Sequence, residues 1–266
     1  MNLYESLLKV RARKPLIHHI TNWVTICDCA NVTRAVGALP VMAHAPEEVE
    51  EMTGISNALV LNIGTLTRPL VDSMLLAGKK ANSKHIPVVL DAVGVGATSF
   101  RSSICTELLE RIEVDVLKGN VSEIGSILGV KSVVRGVEAA GVAGKPEDIA
   151  GALAEKIGRT VVITGKTDII SGRSRTLLVN NGHELMGKVV GTGCMAASVI
   201  ASFCAVERNY IDAAASALAC YGIAGEIAAS QAKGPGTFKE CFYDALYGLD
   251  EAKLQRLERI TSYDKT

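Results

Sequence analysis

Five short apolar runs in this chain each give way to a cluster of polar residues and glycines, and that recurrence restricts the fold more than any other feature. The runs are 16–20, 58–63, 86–91, 114–118 and 160–164. They lead into Thr21 and Asn22, into Gly64 and Thr65, into Ala92, Val93 and Gly94, into Gly119 and Asn120, and into Gly165 and Lys166. A strand buried on both faces reads as a continuous apolar run rather than an alternating one, which is the signature of a parallel sheet covered by helices. Further strands are expected at 39–43, 168–171 and 176–179. Helical patterns fall between the runs: Thr67, Arg68 and Pro69 start one, Val71, Met74, Leu75 and Gly78 line its face, and Lys79 and Lys80 close it. Residues 103–112 and 147–157 read the same way, and the chain from Met195 onward reads as almost entirely helical. The expectation is an α/β fold of three layers, α/β/α, with a mainly parallel central sheet in one domain over residues 1–266. The Gly- and Ala-rich segment 135–145 reads as a mobile surface connection.

In an open parallel sheet, ligands lie beyond the carboxyl ends of the strands. Polar residues gathered at five such ends therefore describe the rim of a pocket, although any one of them could simply cap the next helix. The sharpest local feature is Val189-Val190-Gly191-Thr192-Gly193-Cys194, an apolar pair passing through a glycine turn into a long helix. Glycines let the backbone close around an anion while the first N–H groups of the helix point at it, so Gly191, Thr192 and Gly193 form a candidate anion hole. Cys194, in the first turn, is expected to gain thiolate character from the helix dipole. Asp91 and Glu123 are the candidate acidic residues for Mg²⁺, which takes one or two carboxylates alongside phosphate and water. Lys118 and Lys166 are candidate phosphate-neutralising cations.

Other chemistries fit less well. Lys plus Arg and Asp plus Glu each number 28, so there is no basic excess to bind nucleic acid. The seven cysteines form no paired framework, Cys27 and Cys29 are too close for a comfortable bridge, and a reducing cytoplasm is the simplest setting. Residues 189–206 carry no charge for 18 positions, but glycines, threonine and serines among them argue against a membrane span. Gly182-x-x-x-x-Gly187-Lys188 has Val189 where a P-loop needs Ser or Thr. Gly191-x-Gly193-x-x-Ala196 matches a relaxed dinucleotide fingerprint but falls too late in the chain. His18 and His19 are neighbours on a strand, point to opposite faces and so share no metal. A cysteine-nucleophile enzyme and a non-catalytic binder of small heterocycles remain as alternatives in other classes.

Several motifs occur in a telling order: Ile20-Thr21-Asn22, Asn62-Ile63-Gly64-Thr65-Leu66, Leu90-Asp91 with Val93-Gly94-Val95-Gly96-Ala97-Thr98, Gly119-Asn120 with Ser122-Glu123-Ile124, Val162-Ile163-Thr164-Gly165, Gly191-Thr192-Gly193-Cys194 and Gly234-Pro235-Gly236-Thr237-Phe238. As an ordered set across residues 16 to 240 they resemble the hydroxyethylthiazole kinases of thiamine biosynthesis and salvage, in the ribokinase-like superfamily. The resemblance implies transfer of a phosphoryl group from ATP, with Mg²⁺, to the hydroxyl of hydroxyethyl-methylthiazole. It also implies a cytoplasmic homotrimer with substrate pockets at subunit interfaces. By motif match, Met42, Gly191 and Asn22 would line the thiazole pocket, and Lys118 and Thr164 would contact the nucleotide. Asp91 and Glu123 would organise Mg²⁺ and phosphates, and Cys194 would stand where related sugar kinases have an aspartate base. Two positions depart from the family pattern. Lys118 replaces an Arg and so lacks its bidentate fork, and Ala92 replaces the Pro after the aspartate.

Overall fold

The computed structural model describes residues 2–130, 132–135, 138–142 and 144–263. Eleven strands run in chain order as β1 (Leu16–Ile20), β2 (Leu39–Val41), β3 (Ala58–Asn62), β4 (Val88–Asp91), β5 (Val116–Asn120), β6 (Ser132–Arg135), β7 (Glu138–Val142), β8 (Thr160–Thr164), β9 (Asp168–Ser171), β10 (Thr176–Val179) and β11 (Ile260–Tyr263). The α-helices are α1 (Leu3–Arg13), α2 (Ile26–Val36), α3 (Val49–Ile55), α4 (Arg68–Ser83), α5 (Ser99–Arg111), α6 (Val121–Leu128), α7 (Pro146–Ile157), α8 (Thr192–Cys204), α9 (Tyr210–Gln231), α10 (Pro235–Tyr247) and α11 (Glu251–Leu257).

Nine strands form one sheet in the order β11-β10-β9-β8-β5-β4-β3-β1-β2. From β2 to β8 every pairing is parallel, and the remaining three strands extend the sheet antiparallel. Alternation along each strand feeds two cores. Ile17, Val60, Val89, Val116 and Val162 face α1, α2, α8, α9 and α10. Ile20, Leu59, Leu61, Leu90 and Leu117 face α4, α5, α6 and α7. This is the expected three-layer arrangement.

His18 and His19 show the same alternation. On one face, the His18 ring lies 2.9 Å from Thr53 Oγ1 and 2.8 Å from the Ala43 carbonyl. On the other, the His19 ring reaches Ser198 Oγ at 3.1 Å and its own strand at Ile17 O, 3.0 Å. Burial lowers the pKa of both, that of His19 to about 3, so both are neutral imidazoles, with both ring nitrogens of each already engaged inside the protein.

Three stretches of the chain are placed as follows. Within 135–145, Arg135 belongs to β6 and Glu138–Val142 to β7, which pair antiparallel; Gly136, Val137 and Ala143 lie outside the described residues. The helical C-terminal third ends in a strand, β11, at the sheet edge. The uncharged stretch 189–206 is mostly α8, whose residues Met195 to Cys204 are all buried between sheet and helices. Among the described residues one helix, α9, is long and apolar enough to cross a membrane, and most of it is buried inside the protein.

Candidate active site

The chain leaves β1 for β2 on one side and reaches β3 on the other, so the carboxyl ends of β1 and β3 flank a point where strand order reverses. Such a point opens a crevice for a ligand. Asn62 and Asp91, the last residues of β3 and β4, stand opposite one another there, and Asp91 in turn stands opposite Lys118, the middle residue of β5. Each side chain is two positions beyond a residue that feeds the α8 core, so all three project toward α8. They bond in a row, Asn62 Nδ2 donating to Asp91 Oδ2 at 2.7 Å and Lys118 Nζ to Asp91 Oδ1 at 2.9 Å. Asp91 is fully buried and Lys118 only 4% exposed.

Charges this deep are retained only when paired. Burial by itself would lower the Lys118 pKa, but the carboxylates of Asp91 and Glu123 outweigh it and hold the ammonium charged. Burial pushes the Asp91 carboxyl up, and Lys118 and Asn62 pull it back.

α8 begins above this row. Its N-cap, Gly191, has φ +94°, and a Cβ there would lie 2.6 Å from Thr25 Cγ2, so both conformation and space require glycine. No side chain caps this terminus, and the amides of the first turn have no intrahelical acceptor. A Cβ on Gly193 would sit 3.3 Å from Lys118 Nζ. The ammonium therefore lies just beneath the anion hole proposed from the glycine turn, adding a full charge to the helix dipole. The Thr192 hydroxyl donates to Met186 O at 2.9 Å, and the Tyr221 hydroxyl donates to Thr192 O at 2.7 Å. Thr192 thus offers the hole its backbone amide, while its side chain fixes the turn.

Cys194 sits beside the same cluster. Asn22 Nδ2 donates to its Sγ at 3.3 Å and to Asn62 Oδ1 at 3.0 Å, while Asn22 Oδ1 accepts from the Thr25 amide and hydroxyl. The expected thiolate is overturned. Burial first, then the carboxylate of Asp91, push the Cys194 thiol up from its ordinary value. At neutral pH it is a thiol, because desolvation outweighs the helix dipole here.

Glu123 caps α6: its Oε2 accepts from Asn120 N at 2.7 Å, while Asn120 Oδ1 accepts from Glu123 N at 2.9 Å. Its Oε1 reaches back to Gly94 N at 2.7 Å, and burial raises its carboxyl pKa. All four oxygens of Asp91 and Glu123 thus already accept an N–H. That donor set fits a hydrated Mg²⁺ met through its own waters, and does not fit an ion ligated mainly by protein. Among the described residues no group of three His, Cys, Asp or Glu side chains could hold a metal ion by itself.

On the other side of the hole lies a cleft of about 830 Å³, walled by Asn120 and Thr164 at the ends of β5 and β8, by the 181–187 loop, and by Ala196, Leu218 and Tyr221. The structure thus gathers Asn22, Asp91, Lys118, Gly191, Gly193 and Cys194 into one cluster, with Thr164 in the adjoining cleft. Met42 is half-buried just after β2, the edge strand paired with β1. Residue selection from sequence omitted Asn62 and Thr25. An asparagine ending the otherwise apolar run Ala58–Leu61 was the available signal for the first, whereas Thr25 is tied in by a contact with Gly191 that spacing does not reveal. The dinucleotide fingerprint is excluded by context: the turn before α8 follows a 3₁₀ segment rather than a strand, and α8 leads into α9.

Comparisons with known proteins agree with this geometry. Residues 7–252 match the model of the hydroxyethylthiazole kinase family. The chain is 55% identical over 254 residues to a hydroxyethylthiazole kinase of Methanosarcina mazei, covering 96% of this chain and 97% of that protein. The solved structure of a hydroxyethylthiazole kinase protein from Pyrococcus horikoshii is 41% identical, with a TM-score of 0.91 over 98% of this chain and 99% of that one. A ribokinase-like superfamily protein from Enterococcus faecalis, 13% identical with a TM-score of 0.62 over 87% and 86% of the two chains, shares the fold. The chain belongs to the hydroxyethylthiazole kinase family.

Proposed function

We propose that the protein transfers the γ-phosphoryl group of ATP to the hydroxyl of hydroxyethyl-methylthiazole, with the nucleotide in the large cleft and the alcohol on the Asn22 and Cys194 side of the hole. One observation carries this reading: a buried ammonium, Lys118, lies directly beneath an uncapped helix terminus at the boundary between the two spaces. Phosphoryl transfer passes through a loose transition state with charge spread over its oxygens, so positioning and neutralisation matter more than a strong base. The amides of Gly193 and Cys194 with Lys118 Nζ would receive that charge, and Thr164 would hold the nucleotide from β8. Mg²⁺ arriving with the nucleotide would neutralise phosphate oxygens, with Asp91 and Glu123 meeting its waters. The Cys194 thiol, protonated and held by Asn22, would orient the attacking hydroxyl rather than deprotonate it beforehand.

Met42 and Gly191 are proposed to contact the thiazole ring. A homotrimer is proposed on the exposed Trp23, Val24 and Val190. Trp23 and Val24 lie between Asn22 and Thr25, and Val190 precedes Gly191, so a neighbouring subunit covering them would complete the acceptor pocket. The chain is read as one domain over residues 1–266. All seven cysteines are unpaired, which suits the cytoplasm.

The test is purified protein with Mg-ATP and hydroxyethylthiazole, following ADP and the phosphate ester by mass. The expected result is equimolar ADP and ester, both lost on chelation of Mg²⁺. Nucleotide binding without ester would refute the acceptor assignment.

A further inference from the structure

The cleft holds a carboxylate that phosphoryl transfer does not use. Asp168, the first residue of β9, is half-buried and lines the cleft beyond Thr164. Its Oδ1 accepts the Gly165 amide at 3.0 Å across the β8–β9 turn. Among the described residues its Oδ2 has no donor and no cation in contact. Burial pushes the Asp168 carboxyl up to about 7 despite the Gly165 bond and the field of Lys118.

A carboxylate is an odd lining for a space that receives a triphosphate. In its ionised form it offers acceptors only and repels phosphate. The phosphates are drawn instead to the α8 terminus and Lys118. The sheet order places β5 two strands from β9, about 10 Å at ordinary strand spacing. Ala196, Leu218 and Tyr221 also line the cleft. The part of a nucleotide between its phosphates and its base is the ribose, whose hydroxyls are neutral donors.

We propose that Asp168 reads the ribose of the phosphoryl donor, its free oxygen accepting a hydrogen bond from the 2′- or 3′-hydroxyl, and so selects ribonucleotides over deoxyribonucleotides. This rests on the ATP reading above. The residue is a specificity determinant, and it takes no part in the bond-making step.

The experiment compares kcat/KM for ATP, 2′-deoxy-ATP, 3′-deoxy-ATP and inosine triphosphate in the wild type, Asp168→Asn and Asp168→Ser. Both variants retain an oxygen for the Gly165 amide, so a purely structural role would leave the nucleotide ratios unchanged. A hydrogen bond to a charged group corresponds to a preference of about tenfold or more for ATP over one deoxynucleotide in the wild type. In whichever variant folds, that ratio should fall to about twofold. A wild type indifferent to both deoxynucleotides, or variants that keep the wild-type ratio, would overturn the proposal. So would a substitution effect that tracks inosine against adenosine, which would assign Asp168 to the base. Failure of the wild type to turn over ATP at all would instead overturn the underlying kinase reading, and this proposal with it.

Discussion

Lowering the pH from 7.5 to 5 should destabilise the fold through His19, one of the struts that carries the active-site helix. The His19 ring is completely buried between β1 and α8. Its Nδ1 faces the Ile17 carbonyl and must carry the proton, which leaves Nε2 to accept from the Ser198 hydroxyl. Burial of the charged ring outweighs the Ile17 and Val41 carbonyls that would favour it, and lowers the pKa to about 3. In the unfolded chain the imidazole titrates near 6.5. The unfolded state therefore binds more protons between these values, and stability is lost as pH falls through that window. At pH 5 the contribution is RT ln(1 + 10^1.5), about 2 kcal/mol. That is a substantial share of an ordinary folding free energy. The assay is urea unfolding at fixed protein concentration, at pH 7.5, 6 and 5, for the wild type and His19→Gln. The variant should be less stable at pH 7.5, yet lose about 2 kcal/mol less than the wild type on going to pH 5. His18, whose pKa is also lowered, contributes to both proteins and cancels in the comparison. Equal slopes in the two proteins would refute the neutral, buried His19 on which the reasoning rests.

Cys194→Ala should slow turnover without abolishing it, since the thiol is protonated and the charge-stabilising donors are backbone amides and Lys118; complete loss in a folded variant, or a trapped covalent intermediate, would argue for nucleophilic chemistry. Gly191→Ala should cost more than an ordinary surface change, because a Cβ would meet Thr25 Cγ2 at 2.6 Å in a left-handed backbone; a fall of about 1–3 kcal/mol in unfolding free energy, with kcat reduced, is the expected outcome. Lys118→Met should leave Asp91 charged and unpaired in the interior, costing about 3–5 kcal/mol, and the double variant Lys118→Met with Asp91→Asn should recover much of the stability but none of the turnover.

The carboxyl ends of the strands were legible because two-sided burial forces an apolar run, and a charged residue at the end of such a run stands out. Asp91 and Lys118 announced themselves that way, although both are buried, and so did the glycine turn ahead of Cys194. What spacing does not carry is register. That Asn62, Asp91 and Lys118 stand directly opposite one another follows from strand pairing, and the contact of Gly191 with Thr25 comes from packing between α8 and α2. β11 escaped detection because Ile260–Tyr263 has only a single strong apolar residue and pairs with β10 from far along the chain. The ionisation of Cys194 was misjudged for a different reason. Its helix position is visible in the sequence, whereas the buried carboxylate beside it comes from a strand much earlier in the chain.

Strand order also accounts for how one short turn serves two substrates. Counting across the sheet, Asp168, Thr164, Lys118, Asp91, Asn62 and Asn22 fall on or just beyond β9, β8, β5, β4, β3 and β1, which are consecutive neighbours. The acceptor side is built from uncharged amides, the middle from a buried ion pair, and the donor side from a hydroxyl and an unpaired carboxylate. The middle carries the buried positive charge, Lys118 under the start of α8, while Lys166 lines the cleft on the donor side. A phosphoryl group in flight between the two sides would pass over Lys118. Because Asp91 anchors Lys118 while Asn62 links Asp91 to Asn22 and Cys194, the position of the charge and the position of the acceptor are set by one bonded row. This coupling explains why the ends of strands, rather than a mobile loop, carry the chemistry in this chain.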